Sequence, residues 1–212
     1  MGLSELIKLN RFTEIRYLED LLKRKKILLL NPDCWEDSND KATIDIYKKA
    51  TGKRSVYALC MTHRSETSHH WNAFANGSTG CCIEISPRKF FKSLSKIKNL
   101  KHGNVRYLPI NELSKTSILG EDLPFIKRNP YSHENEYRFI LTTSAKQERF
   151  FEIPIELNFI RKVTINNKVS QEEFEFIKGR LLKISPELKI NRSTLYNNER
   201  WINFFKRKFG QE

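Results

Sequence analysis

Residues 127–142 read Lys-Arg-Asn-Pro-Tyr-Ser-His-Glu-Asn-Glu-Tyr-Arg-Phe-Ile-Leu-Thr. From Tyr137 to Thr142 this is the clearest strand in the chain, rich in β-branched and aromatic residues. Tyr137, Phe139 and Leu141 fall on one face and point to a core. If the extended run begins at Glu134, then Glu134, Glu136 and Arg138 share the opposite face. Carboxylates two residues apart on a strand lie about 7 Å from one another. Their repulsion raises one pKa, and a neighbouring arginine lowers it again. Such a row is a candidate reactive surface; the bland alternative is a solvated face held by a cross-strand ion pair.

Working toward the C-terminus, Phe151 to Ile155 is expected to be the hairpin partner of that strand. Ile160 to Ile165 reads as a further strand. Ser170 with Glu173 forms a capping box for a helix from Gln171 to Lys183. Leu188 to Asn191 returns as a strand, and Trp201 to Phe209 makes an aromatic, basic tail.

Toward the N-terminus, Val56 to Thr62 is a strand with Tyr57, Leu59 and Met61 on one side and Val56, Ala58, Cys60 and Thr62 on the other. Cys81 to Ile85 is another. Ser68 caps a helix from His69 to Asn76 that Gly77 ends. Helical spacing of Ile15, Leu18, Leu21 and Leu22 predicts a helix over 12–26, with Lys23 to Lys26 at its C-terminal end, where cations suit the dipole. Ile27 to Leu30 follows as a short buried strand and 31–40 as a polar loop. Phe90 to Ile97 is a helix, Val105 to Leu108 a strand, and 109–133 mostly loop. Helices and strands are mixed without regular alternation. The fold class is therefore α+β: one domain over 1–212, with a curved or split, mainly antiparallel sheet flanked by helices.

The 212 residues are 39 % hydrophobic and 30 % charged. That supports a core and excludes a disordered chain or a membrane-embedded one. Met1 to Asn10 carries no signal-peptide pattern. Lys plus Arg number 38 against 25 Asp plus Glu, a net charge of +13, which suits a protein that meets polyanions. Cys34, Cys60, Cys81 and Cys82 show no disulfide framework and no Cys-x-x-Cys, so a reducing, cytoplasmic location is expected. His63, His69 and His70 lack the paired spacings of a zinc site, so no metal is expected. Cys60 lies mid-strand, a poor place for a Cys-His pair. Gly77 to Gly80 lacks the Lys-Ser/Thr of a phosphate loop.

In order along nearly the whole chain, Arg16-Tyr17, Met61-Thr62, Trp71 with Phe74-Ala75, Gly80, and Lys127, Tyr131, Glu134, Glu136 and Arg138 resemble the bacterial and phage family called domain of unknown function 2971. The last signature there is Lys-x-x-x-Trp-x-x-Glu-x-Glu-x-Arg. Tyr131 stands in place of its Trp, and Thr62 in place of a Ser. Trp35-Glu36-Asp37 replaces an Asn-Asp-Pro loop. The order of an early Arg, a Ser/Thr ending a strand and a later Glu-x-Glu is similar to ADP-ribosyltransferases of the Arg-Ser-Glu type.

That second resemblance implies an enzyme using NAD, a toxin or phage-defence effector acting on nucleic acid or a nucleic-acid-bound target, with a protein partner or antitoxin among its contacts. It implies that Arg16, beside Tyr17, holds the NAD diphosphate. Thr62 would support the nicotinamide ribose, and Trp71 or Phe74 would stack on nicotinamide. Glu136 would stabilise the oxocarbenium-like transition state, with Arg138 beside it, and Glu134 would orient or deprotonate the acceptor. This reading requires Arg16, Thr62 and Glu136 to line one cleft. The competing reading is a non-enzymatic basic module binding nucleic acid or protein. A nuclease holding Mg²⁺ on the two glutamates is the third.

Overall fold

In the computed structural model, which describes residues 8–76 and 79–210, the strand read first is β8 (Glu136–Thr143). It is antiparallel to β3 (Ser55–Thr62) on one edge and to β5 (Leu100–Asn104) on the other. Both edges being filled, β8 cannot take the hairpin partner expected of it. β9 (Phe150–Pro154) instead pairs antiparallel with β2 (Lys26–Leu30).

The far edge of β3 is split. β1 (Leu9–Glu14) meets it through Asn10 and Thr62, and β2 through Leu30 and Ala58, one register pair each. Between those two contacts Cys60 has no ladder partner on that side, and the sheet opens. Beyond β1 lie β4 (Gly80–Ile85), β10 (Ile160–Ile165) and β11 (Ile190–Arg192). All pairings in this nine-stranded sheet are antiparallel except β10 with β11. A separate parallel pair joins β6 (Arg106–Leu108) and β7 (Ile126–Arg128).

Alternation along β3 and β8 sorts the two faces. Tyr57, Leu59, Met61, Tyr137, Phe139 and Leu141 enter the main core with residues of α1 (Ile15–Arg24), α4 (Pro87–Leu94) and α5 (Gln171–Ile184). Phe139 is fully buried, its ring 5.2 Å from that of Phe90. On the other face Val56, Ala58 and Ile140 pack with Ile44 and Tyr47 of α2 (Ser38–Thr51). Phe12 packs with Trp71 of α3 (Ser68–Phe74). Past β11, α6 (Glu199–Lys208) has no buried residue.

Several local expectations are corrected. Phe12 to Glu14 belong to β1, not to the first helix, because they pair residue for residue with Cys82, Cys81 and Gly80. Residues 31–40 hold a short 3-10 turn at Pro32–Cys34 and the start of α2. Asp37 caps α2 through Asn39 and Asp40, and left-handed Gly52 ends it. The cap of α3 is Thr67, one residue before the expected Ser68; Gly77 lies outside the described residues. Gly80 is required, since a Cβ there would collide with the Ala75 carbonyl. Glu134 is not on the strand at all. It ends a 3-10 turn over Asn129–Glu134, and Asn135 follows at φ 45°, a left-handed conformation that asparagine tolerates better than most residues.

Candidate active site

A cleft of about 660 Å³ opens over the split in the sheet. Its walls come from β1, β2, β3, α2, α3 and the turn leading into β8. The deepest group in it is Arg138, 1 % exposed. Its Nε and Nη2 donate to the two carboxylate oxygens of Glu136 at 2.7 and 2.9 Å. Nη1 and Nη2 donate to the two oxygens of Asp40, and Nη1 also to the Pro124 carbonyl. Those bonds occupy all five guanidinium donors. The Trp35 ring covers the same guanidinium at 4.9 Å. Arg138, read from the sequence as part of the reacting group, is therefore a clamp that fixes two carboxylates and has no donor left for a ligand.

The left-handed Asn135 brings Glu134 and Glu136 together around one cation instead of along one strand face. Lys127 Nζ lies 2.7 Å from Glu134, 3.8 Å from Glu136 and 3.7 Å from Asp40. It stacks over Tyr131 at 4.6 Å. Thr62, the register partner of Glu136, donates its hydroxyl to the Glu134 carbonyl at 2.6 Å. His70 Nε2 lies 3.2 Å from the same carbonyl.

The two glutamates are driven apart in acidity. Burial pushes Glu136 up, but Arg138 and Lys127 outweigh it and hold the carboxyl below the ordinary glutamate value. Burial dominates at Glu134 and raises it in spite of Lys127. One carboxylate stays ionised and the other is able to exchange a proton, the pattern of an acid/base pair. Lys127 is held as ammonium: burial lowers its pKa, and Glu136 and Glu134 raise it further. Cys60 keeps exposed surface, yet the protein packed around it and the charge of Glu136 push its thiol up more than Arg138 pulls it down. It is no thiolate nucleophile.

Of the residues read from the sequence, Thr62, Phe74, Glu134, Glu136 and Arg138 line this cleft. Arg16, Tyr17 and Trp71 do not. Arg16 is exposed, bonded to Glu14 at 2.9 Å and stacked on Tyr17 at 4.7 Å. Trp71 is fully buried, edge-on to Phe12, with its indole N–H on Glu66. The requirement that Arg16, Thr62 and Glu136 meet is thus fulfilled for the last two only.

Besides Arg138, the cleft is lined by Arg11, on β1. It makes no hydrogen bond or ion pair among the described residues, and burial lowers its pKa. Asp37 also lines the cleft, and its Oδ2 is buried without a hydrogen-bond partner among the described residues. Burial raises Asp37, but the bonds from Asn39 and Asp40 and the charge of Lys127 bring it below the usual range. From the sequence, Asp37 stands out only within the Trp35-Glu36-Asp37 loop and Arg11 not at all. The cap signal Asp37 with Gly52 fifteen residues on was available for α2; nothing local distinguishes Arg11 from a surface arginine.

No family model matches the chain, so the resemblance to the domain of unknown function 2971 has no matching model behind it. No curated protein matches either. Among solved structures, the chain is similar to Thermus sp. 2.9 DarT in complex with ADP-ribosylated ssDNA. The identity is 13 %, over 88 % of this chain and 93 % of that one, with a TM-score of 0.46. Against Thermus sp. 2.9 DarT in complex with NAD+ the identity is 12 %, over 89 % and 96 %, with a TM-score of 0.41. At that distance the activity has to be read from this chain's own residues.

Proposed function

We propose that the cleft binds NAD+ and that the protein is an ADP-ribosyltransferase acting on nucleic acid. The observation that carries this reading is a pair of groups in one cleft with no partner among the described residues, the Arg11 guanidinium and Asp37 Oδ2. They ask for a ligand that is anionic at one point and donates hydroxyl hydrogens at another, as a dinucleotide does. Every other cation there, Lys127 and Arg138, is already matched to carboxylates. Arg11 takes the diphosphate role first assigned to Arg16, and Asp37 accepts from a ribose hydroxyl. Phe74, 44 % exposed, and Tyr131 supply aromatic surface for a ring.

When NAD+ is bound, loss of nicotinamide breaks its N-glycosidic bond and leaves positive charge on the ribose. Glu136 stays ionised and is held rigid by Arg138, so it stabilises that charge without reorganising. Glu134 takes the proton of the acceptor as the new glycosidic bond forms. Lys127 between them keeps both carboxylates in place. The net charge of +13 favours a nucleic-acid acceptor over a neutral one.

The test is nicotinamide release from NAD+ in the presence of single-stranded DNA. Glu134→Gln lowers the rate about 10²- to 10³-fold, in the range of removing one charged or proton-transferring group. A folded Glu134→Gln protein with undiminished turnover contradicts the assignment. The wild-type rate falls on acidification as Glu134 protonates. Because its pKa is raised, the midpoint lies above the ordinary glutamate value of 4.5.

A further inference from the structure

The last helix, α6, is well capped and poorly packed. Asn198 accepts from the Trp201 N–H at 3.1 Å, Glu199 stands in the first turn, and Lys206, Arg207 and Lys208 stand in the last, where they suit the dipole. Yet no residue of the helix is buried. Trp201 is 69 % exposed and Phe209, at the C-cap, 67 %; Ile202, Phe204 and Phe205 are exposed as well. A ten-residue helix is marginal in water by itself and draws its stability from packing an apolar face. Here that face is uncovered.

At 3.6 residues per turn the helix has two distinct sides. Trp201, Ile202, Phe204, Phe205 and Phe209 fall on one of them. Their rings make a continuous strip, with Phe205 5.1 Å from Trp201, 5.2 Å from Phe204 and 6.3 Å from Phe209. Glu199, Arg200, Asn203, Lys206 and Arg207 fall on the other. Cations border the strip on both flanks, Lys206 one turn from Ile202 and Arg200 one turn from Phe204. Lys208 is the exception to this division. It follows Phe204 by one turn at the end of the helix, its ammonium 5.9 Å from the Phe204 ring and 5.8 Å from that of Phe209. A lysine so placed lays its stem along the rings and carries its charge outward.

Three kinds of occupant make different demands on such a face. Single-stranded nucleic acid needs rings and cations on one side, where bases and phosphates alternate; here the two are separated. A second copy of the chain needs about 800 Å² per partner for a stable dimer, more than one side of a helix about 15 Å long provides alone. An anionic phospholipid surface takes what is present: apolar depth receives the rings, and negative headgroups meet the cations on both flanks. The helix's one carboxylate, Glu199, is on the polar side.

We propose that α6 is an interfacial anchor, lying in the plane of an anionic phospholipid surface with the aromatic strip and Ile202 turned into the lipid and the four cations at headgroup level. It lies on the bilayer and does not cross it, since about 15 Å of helix is half of a hydrocarbon core of about 30 Å. None of the residues lining the cleft belongs to α6, so the anchor stands apart from the NAD+ reading.

Co-sedimentation of the full chain with vesicles tests it, using phosphatidylcholine alone beside equal parts phosphatidylcholine and phosphatidylserine. Wild type binds the mixed vesicles, less tightly as salt rises, and its tryptophan emission shifts to the blue as Trp201 leaves water. Trp201→Ala/Phe205→Ala keeps every charge and weakens binding at least tenfold. Lys206→Gln/Arg207→Gln weakens binding to the mixed vesicles by about fivefold per cation removed and leaves binding to phosphatidylcholine alone unchanged. Trp201→Phe binds and loses the blue shift. Thermal melts of all variants match wild type, because the altered side chains are exposed; the two double variants act on opposite sides of the helix, so loss of fold in one leaves the other to decide. A chain of net charge +13 adsorbs to an anionic surface by charge alone, so equal binding by wild type and Trp201→Ala/Phe205→Ala overturns the proposal. Failure of wild type to bind the mixed vesicles overturns it too, as does binding without the blue shift. A wild-type dimer in sedimentation equilibrium that Trp201→Ala/Phe205→Ala dissociates assigns the face to a second copy and likewise overturns it.

Discussion

Arg138 and Arg11 line the same cleft under opposite conditions. On the β8 side, Arg138 meets two carboxylates, a carbonyl and an indole face, and every donor is occupied. On the β1 side, Arg11 is held in the opening of the split sheet with no hydrogen-bond or ion-pair partner among the described residues. The first arrangement is what folding needs, since an unpaired guanidinium that deep costs several kcal/mol. The second is tolerated only where water or a ligand completes it. The contrast separates a residue that builds the site from one that is available to it. A charged residue at the bottom of a cleft is not a ligand-binding residue by position alone; its donors have to be counted.

The largest effect that can break this comparison is on stability. Arg138→Met leaves Asp40 and Glu136 buried with only Lys127 near them, 3.7 and 3.8 Å away, and lowers unfolding free energy by about 3–5 kcal/mol, read as a shift in the urea midpoint. Glu136 then also loses the larger part of what holds its pKa down, keeping only Lys127 and the Cys60 thiol. In wild type, a carboxyl with a depressed pKa contributes stability that is full above the ordinary value of 4.5 and is lost as pH falls through the folded value. In Arg138→Met that contribution is reduced, so stability depends less steeply on pH in the acid range. A variant as stable as wild type, with the same acid dependence, refutes the clamp.

A smaller effect comes from the turn that makes the cluster converge. Asn135→Val puts a β-branched residue at φ 45°, which costs about 1–3 kcal/mol and moves Glu134 away from Lys127. Asn135→Gly keeps the turn. Melting temperatures of the two variants side by side distinguish them, and equal values contradict the strain. The smallest effect belongs to Arg16→Ala. Being exposed and outside the cleft, Arg16 changes stability by no more than about 0.5 kcal/mol and leaves NAD+ affinity where it was.

Much of the sheet could be read from the chain. β3, β4, β8 and β10 are strands with apolar residues on at least one face, and α5 announces itself by the capping box Ser170 with Glu173. What escaped has physical reasons. Most of α2 is polar, with Ile44 and Tyr47 its only buried apolar residues, so hydrophobic spacing is too sparse to show it. β5 runs Leu-Lys-His-Gly-Asn and is a strand because β8 offers an edge. The end of β1 was absorbed into the helix after it, since apolar residues at 9, 12 and 15 have helical spacing and not the alternation of a strand. In the site, the pairing of Glu134 with Glu136 was legible as two carboxylates with an arginine near. Their geometry was not, because it depends on one left-handed residue. Asp40 and Arg11 come from elements far away in sequence, and only the tertiary fold brings them to Glu136.

The proposed NAD+ site depends on Arg11 as its anion-binding residue. The direct measurement is calorimetric titration of NAD+ into wild type and Arg11→Gln, with thermal melts of both. Saturable binding by wild type, weakened at least about tenfold (about 1.4 kcal/mol) in a folded Arg11→Gln protein, is the predicted result. Absence of binding by wild type, or equal affinity in the folded variant, contradicts it.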